Sequence, residues 1–271
     1  MKYTDIVICL AGVALLAYWL LKTSLGRRAL ANSPLRRNNM PVYTPAIVFS
    51  LWLVVLVAAD VVRDMYKDLP NWQKGVADNV VSSVGAILMA AVIIVLGRAH
   101  FARRLKGFGL NVRTLGRDLL IAPLYLLAAR PVMMATITLT VYAAELVSGH
   151  DYQMQPHQQL KLAAENPQLS LHVLIFVVAV LIIPIFEELF FRGIIQTTLL
   201  SHMQIRGKAW IAIAITSALF ALMHEEMSHQ PALFVLGACM GYAYERSGSL
   251  WRPIFIHAIF NATNVIAIMS K

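Results

Sequence analysis

The chain is poor in charge. Only 14% of its 271 residues are Asp, Glu, Lys or Arg, where an ordinary soluble domain carries about 25%. That scarcity excludes a normal soluble surface. With 59% hydrophobic residues and a mean hydropathy of +0.66, the composition is that of an integral membrane protein. Cysteine is nearly absent. Cys9 and Cys239 each sit in an apolar segment, which excludes a disulfide framework and a zinc cage built on cysteine. Acidic residues are fewer than basic ones, giving a formal net charge of +9. In a membrane protein such an excess belongs to cytoplasmic loops, so no nucleic-acid partner is expected. Internal repeats and low-complexity tracts are also missing. The absence of paired or inverted halves tells against many secondary transporters. The first apolar segment is too long for a signal-peptide core and has no clear small-residue cleavage site after it, so it reads as a retained helix.

What is present is a series of eight apolar segments, at residues 6–21, 45–62, 80–96, 119–147, 171–202, 209–223, 232–244 and 253–269. About 20 apolar residues cross a bilayer as a helix. The expected fold is therefore all-α and polytopic, with about eight transmembrane helices and a polar site inside the bundle. One membrane domain covers 1–271: helices without a motif over 1–147, a polar extracytoplasmic loop over 148–170, and a motif-bearing core over 171–271. The loop holds His150, Asp151, His157, Lys161 and Glu165 without metal-ligand spacing, and one short helix is expected over 158–165.

Two segments look irregular. Arg130-Pro131 near the middle of the fourth predicts a kink or break. Arg130 either pairs with a carboxylate such as Asp60 or Glu145, or snorkels. The fifth is too long for one simple span and predicts a tilt, a break near Pro184 or a second half-helix. Gly237-x-x-x-Gly241 in the seventh permits close approach of a neighbouring helix. Lys and Arg gather after the first, third, fifth and seventh segments, beginning with Lys22, Arg27, Arg28, Arg36 and Arg37. Lys2 and Lys271 fall on the other side. This places those four loops in the cytoplasm and both termini outside. The protein is expected in a bacterial-type plasma membrane, with its site opening toward the cytoplasmic side.

Ionisable residues at membrane depth are costly and are usually kept for function. Glu188 and Arg192 lie four apart on a helix and can pair, while Glu187 is rotated by roughly 100° and points elsewhere. His224 closes the sixth segment. In the eighth, His257 and Asn261 are four apart on one face. Taken singly, each set reads better as a structural contact between helices than as a site. Together they contain what is needed to hydrolyse an amide without a covalent intermediate. A carboxylate with a histidine can take a proton from water, and a second histidine with an amide can donate to a developing oxyanion. The run His224-Glu225-Glu226-Met227-Ser228-His229 invites a zinc reading, but its histidines are five apart, not the four that His-Glu-x-x-His requires. No metal or other cofactor is expected.

Glu187-Glu188-x-x-x-Arg192, Phe220-x-x-x-His224 and His257-x-x-x-Asn261, in that order, resemble the three motifs of the CPBP intramembrane proteases. This is the CAAX-protease and bacteriocin-processing (Abi) family related to the Rce1 CAAX prenyl endopeptidase. Tyr244-Glu245-Arg246-Ser247-Gly248-Ser249 is similar to it as well. The resemblance covers residues 184–264. It implies a glutamate-dependent intramembrane endopeptidase acting on a membrane-anchored or hydrophobic-tailed peptide, or on a lipidated protein. Glu187 and His224 would activate water, and His257 and Asn261 would stabilise the oxyanion. Glu188 and Arg192 would hold the site together, and Phe220 would line it. The other functions that fit the residues are a non-catalytic immunity or scaffold protein of the same fold and an ion-coupled transporter.

Overall fold

The computed structural model describes residues 3–26, 29–34, 36–152, 154 and 158–269. Lys2, Arg27, Arg28, His157 and Lys271 lie outside the described residues. Those described form helices and no sheet: α1 (Tyr3–Lys22), α2 (Thr44–Asp64), α3 (Asn71–His100), α4 (Arg104–Phe108), α5 (Leu115–Ser148), α6 (Gln158–Glu165), α7 (Leu169–His202), α8 (Lys208–Leu222), α9 (Gln230–Ser247) and α10 (Trp251–Met269). Six of them, α1, α2, α3, α5, α7 and α10, are long and apolar enough to cross a membrane. The other two expected spans are of a different kind. The 15 residues of α8 rise only about 22 Å, short of a hydrocarbon core of about 30 Å. Helix α9 carries Glu245 and Arg246 in its last turn and packs between α5 and α8.

Neither expected break occurs. Helix α5 runs unbroken through Pro123 and Pro131. Prolines are tolerated in membrane helices whose neighbours support the freed backbone, and α5 is flanked by α1, α9 and α10. Arg130 is exposed on it. Asp60, one suggested partner, is held by Arg63 at 2.7 Å, and no ion pair links Arg130 to Glu145, so Arg130 fits the snorkelling alternative. Helix α7 is likewise one 34-residue helix. In place of a break it contains two widened π stretches, Val178–Ile182 and Leu189–Gln196. The first lies just before Pro184, whose ring would clash with the carbonyl four residues back in a regular α-helix.

The loops after α1, α3, α7 and α9 meet at one end of the bundle, as the alternation of basic residues predicts. Arg36 pairs with Glu245 of α9 and stacks 4.1 Å over the Tyr244 ring. Asn39 N–H donates to the His100 carbonyl at 3.1 Å, and Leu250 N–H to that of Gly109 at 2.9 Å. Asn38 Nδ2 donates to Ser201 at 2.9 Å. Just inside this end, Arg252 of α10 donates to buried Asp118 of α5 through Nε at 3.0 Å and Nη2 at 2.7 Å. At the far end, α6 forms where the sequence predicts it. Its Leu162 packs on Gly75 of α3, and Asn79 Nδ2 donates to Gln159 at 3.1 Å.

Phe108 of α4 is fully buried and joins α3 to α7. A Cβ at Gly193 would stand 2.5 Å from its ring, and one at Gly97 2.7 Å. A buried ring held on both sides cannot swing away. Gly193→Ala should therefore destabilise the detergent-solubilised protein by about 1–3 kcal/mol, the usual cost of overpacking. Denaturant unfolding would measure the loss.

Candidate functional site

Helix α7 lays Glu188, Arg192 and Gln196 along one face, four residues apart, and all three are fully buried. A carboxylate and a guanidinium can be buried in this way only when paired and hydrogen-bonded. Arg192 Nη1 donates to Glu188 Oε1 at 2.7 Å, and Nη2 donates to the Gly237 carbonyl of α9 at 3.0 Å. The guanidinium also lies 4.8 Å over the Phe220 ring. One turn on, Gln196 Nε2 donates to the Gly241 carbonyl at 3.1 Å and to Glu245 at 3.0 Å. Two side chains four apart thus meet two carbonyls four apart. Gly237 and Gly241 make the approach possible, since a Cβ there would stand 3.1 Å from Ser217 and 2.8 Å from Gln196 Oε1. The glycine pair packs α9 on α8 and α7 together.

Glu188 Oε1 has a second partner. His257 of α10 approaches it with Nδ1 at 3.1 Å. A carboxylate bound by arginine accepts only, so His257 Nδ1 carries the hydrogen. The other ring nitrogen faces Glu187, with Nε2 3.7 Å from Oε2. Glu187 is turned away from Arg192, as the helical period predicts, and its side chain remains 20% exposed. It lines a cavity of about 670 Å3 together with His224, His257 and Asn261.

His224 lies just past the end of α8. Its Nδ1 is 2.7 Å from the Phe220 carbonyl, which can only accept, so Nδ1–H donates, and in the neutral ring Nε2 is then the acceptor. Gln230 fixes the turn by donating to the His224 carbonyl at 3.1 Å. The Phe220 ring packs 4.8 Å from that of His224 and 5.6 Å from that of His257, centroid to centroid. The two histidines come from segments that sequence counting places at opposite depths. They share one cavity because α8 is short and His224 sits beyond its end, while His257 enters the bundle two turns into α10.

All seven expected residues are therefore close together, with four differences in arrangement. Glu187, expected to work with His224, has its near contact with His257, Nε2 to Oε2 3.7 Å. Asn261 Nδ2 donates to the Ala179 carbonyl at 2.7 Å. Phe220 is fully buried behind the histidines and does not line the cavity. Finally, the site does not open among the basic loops. Its walls include Asn79, Gln159, His229 and Ile268 from the opposite end, and no residue of those four loops. The cavity thus lies away from the basic loops toward which it was expected to open. Residues 224–229 lie outside the α-helices, with a short 3-10 turn only over Met227–His229, so the helical face assumed by a zinc comparison does not exist there. Among the described residues, no group of three or more His, Cys, Asp or Glu side chains is arranged to hold a metal ion.

Sequence reasoning missed Gln196, although it extends the Glu188–Arg192 spacing by another four residues. It also missed the carbonyls of Gly237 and Ala179, which no side-chain pattern reveals. Glu188→Gln should leave Arg192 buried without its counter-charge and destabilise the protein by about 3–5 kcal/mol. Glu187→Gln should unfold close to wild type, because its side chain is partly exposed and makes only the long contact to His257. Chemical denaturation of the two variants side by side checks the contrast.

Residues 169–263 match the family model described as type II CAAX prenyl endopeptidase Rce1-like. Two curated proteins are similar. One is YdiL of Bacillus subtilis (strain 168), whose name places it among membrane peptidases; it is 31% identical over 108 residues, 38% of this chain and 43% of YdiL. The other is the membrane-embedded CAAX protease MroQ of Staphylococcus aureus (strain USA300), 28% identical over 150 residues, 54% of this chain and 58% of MroQ. The chain spans about half the length of the curated relatives it matches. No solved structure matches it significantly.

Proposed function

We propose that this chain, which matches the Rce1-like CAAX endopeptidase family model over residues 169–263, is an intramembrane endopeptidase. It hydrolyses a peptide bond of a membrane-anchored or hydrophobic-tailed peptide. The observation that carries this reading is the convergence of Glu187, His224, His257 and Asn261, from three separate helical regions, on one cavity. A structural ion pair needs none of the two histidines and the amide that line it.

The reaction follows from the donors and acceptors in place. A water in the cavity loses a proton to Glu187, assisted by the free Nε2 of His224, and its oxygen attacks the scissile carbonyl carbon. The oxyanion takes hydrogen bonds from the second N–H of Asn261 and from His257 Nε2 in its protonated form. The proton then passes to the peptide nitrogen, the C–N bond breaks, and a carboxylic acid and an amine leave. Glu188 and Arg192 act before substrate arrives, holding His257 and fixing α7 against α9. Aliphatic and aromatic side chains, among them Trp52, Met133, Ile137 and Phe186, line most of the remaining wall. Such a wall suits an apolar segment or a lipid tail. MroQ is named as a CAAX protease, and a CAAX-like or peptide-maturation tail is the substrate class proposed here. With the basic loops in the cytoplasm, the cavity faces the other side of the membrane.

Two outcomes are expected. Glu187→Gln keeps the fold and lowers kcat for quenched hydrophobic-tailed peptides by at least about 10²-fold, the contribution of a general base. Wild-type cleavage by that variant would sink the reading. In intact cells, a membrane-impermeant maleimide should label Met227→Cys, since Met227 is 78% exposed beside the cavity turn. Labelling only after lysis would reverse the orientation.

A further inference from the structure

We infer that Pro184 is a positioning residue for Asn261, acting through the carbonyl of Ala179; the inference rests on the peptidase reading above. In the first π stretch of α7, the Ile183 N–H donates to the Val178 carbonyl, five residues back. Continued in that register, the Ala179 carbonyl would accept from residue 184. Residue 184 is proline and has no N–H. The Ala179 carbonyl is thus left without a helical donor inside the bundle, where an unmet backbone acceptor is costly. Asn261 of α10 fills the gap, with its Nδ2 2.7 Å from that oxygen.

The bond fixes more than the carbonyl. An amide NH2 has two hydrogens. With one committed to Ala179, the plane of the Asn261 side chain is set, and the second hydrogen is held in a definite direction in the cavity that Asn261 lines with His257 and Glu187. A donor already oriented costs no reorganisation as charge develops on the substrate. Both parts of the device lie within one turn of the catalytic region. Pro184 is three residues before Glu187, and Asn261 is one turn after His257. The proline therefore does two things: it stabilises the widened turn, and it keeps one carbonyl open for a residue of another helix.

The test is a double-mutant cycle on the full-length, detergent-solubilised protein, with Asn-selective 15N labelling read beside the kinetics. Asn261→Ala is expected to lower kcat by about 10²-fold, the loss for one oxyanion donor. Pro184→Ala supplies a competing N–H and is expected to lower kcat by about tenfold or more through misplacement of that donor, with KM within about twofold of wild type. In the Asn261→Ala background, Pro184→Ala should cost nothing further. The Asn261 side-chain amide should show one exchange-protected proton in wild type and lose the protection in Pro184→Ala. Additive losses in kcat would overturn the inference, because they would mean that the proline acts by rotating Glu187. Unchanged kcat in Pro184→Ala, or retained protection, would overturn it as well. If Glu187→Gln cleaves like wild type, the peptidase reading fails on its own, and the amide protection still decides whether Pro184 holds Asn261.

Discussion

The structure depends on the burial of Glu188 and Arg192. Neither charge could stay at this depth alone. Their attraction is strong in a low-dielectric interior, and the cost of removing both from water is strong too. The arrangement is viable because the pair is not left as a pair. Arg192 also reaches the Gly237 carbonyl and the Phe220 ring, and Glu188 also accepts from His257. One ion pair thereby orders α7, α8, α9 and α10 around a common point. It also holds Glu187, the adjacent residue, facing the cavity with no arginine to neutralise it.

Helix α7 carries most of this geometry, and its two π stretches are part of how it does so. Each widened turn changes the angular position of the residues that follow. The first precedes Glu187 and Glu188, and the second contains Arg192. Such a helix can be longer than a simple span and pass a proline without breaking. It also leaves a backbone carbonyl for another helix to use. The irregularity lies beside the ionisable groups, where local deviation from regular geometry commonly serves a site.

The family model matches from residue 169 onward, and the earlier helices are built into the same unit. Arg36 binds Glu245, Asp118 binds Arg252, and Phe108 sits between Gly97 and Gly193. Trp52 of α2, Asn79 of α3 and Met133 of α5 form walls of the cavity. The Tyr244–Ser249 stretch, which resembles the family in sequence, is the junction at which these connections meet. Tyr244 donates to the Phe108 carbonyl at 3.0 Å, Arg246 to that of Ala29 at 3.2 Å, and Ser249 lies 3.2 Å from Thr114. Here it holds the loops together, away from Glu187, His224 and His257.

The sequence by itself determined the class of the protein and the residue types of its candidate site. Composition and run length point to membrane helices, because an apolar run of about 20 residues satisfies its backbone within itself only as a helix. Helical spacing alone separates Glu187 from Glu188 and pairs Glu188 with Arg192. It also predicts α6 and the close approach at Gly237 and Gly241. Tertiary structure decided what spacing cannot express. Proline suggests a break at residues 131 and 184, but packing neighbours and a π turn keep both helices continuous. Counting places His224 and His257 at different depths, but the shortness of α8 brings them together. The partners of Arg192, Gln196 and Asn261 on α9 and α7 are backbone carbonyls, and every residue has one. Which carbonyl is within reach depends only on how the helices pack.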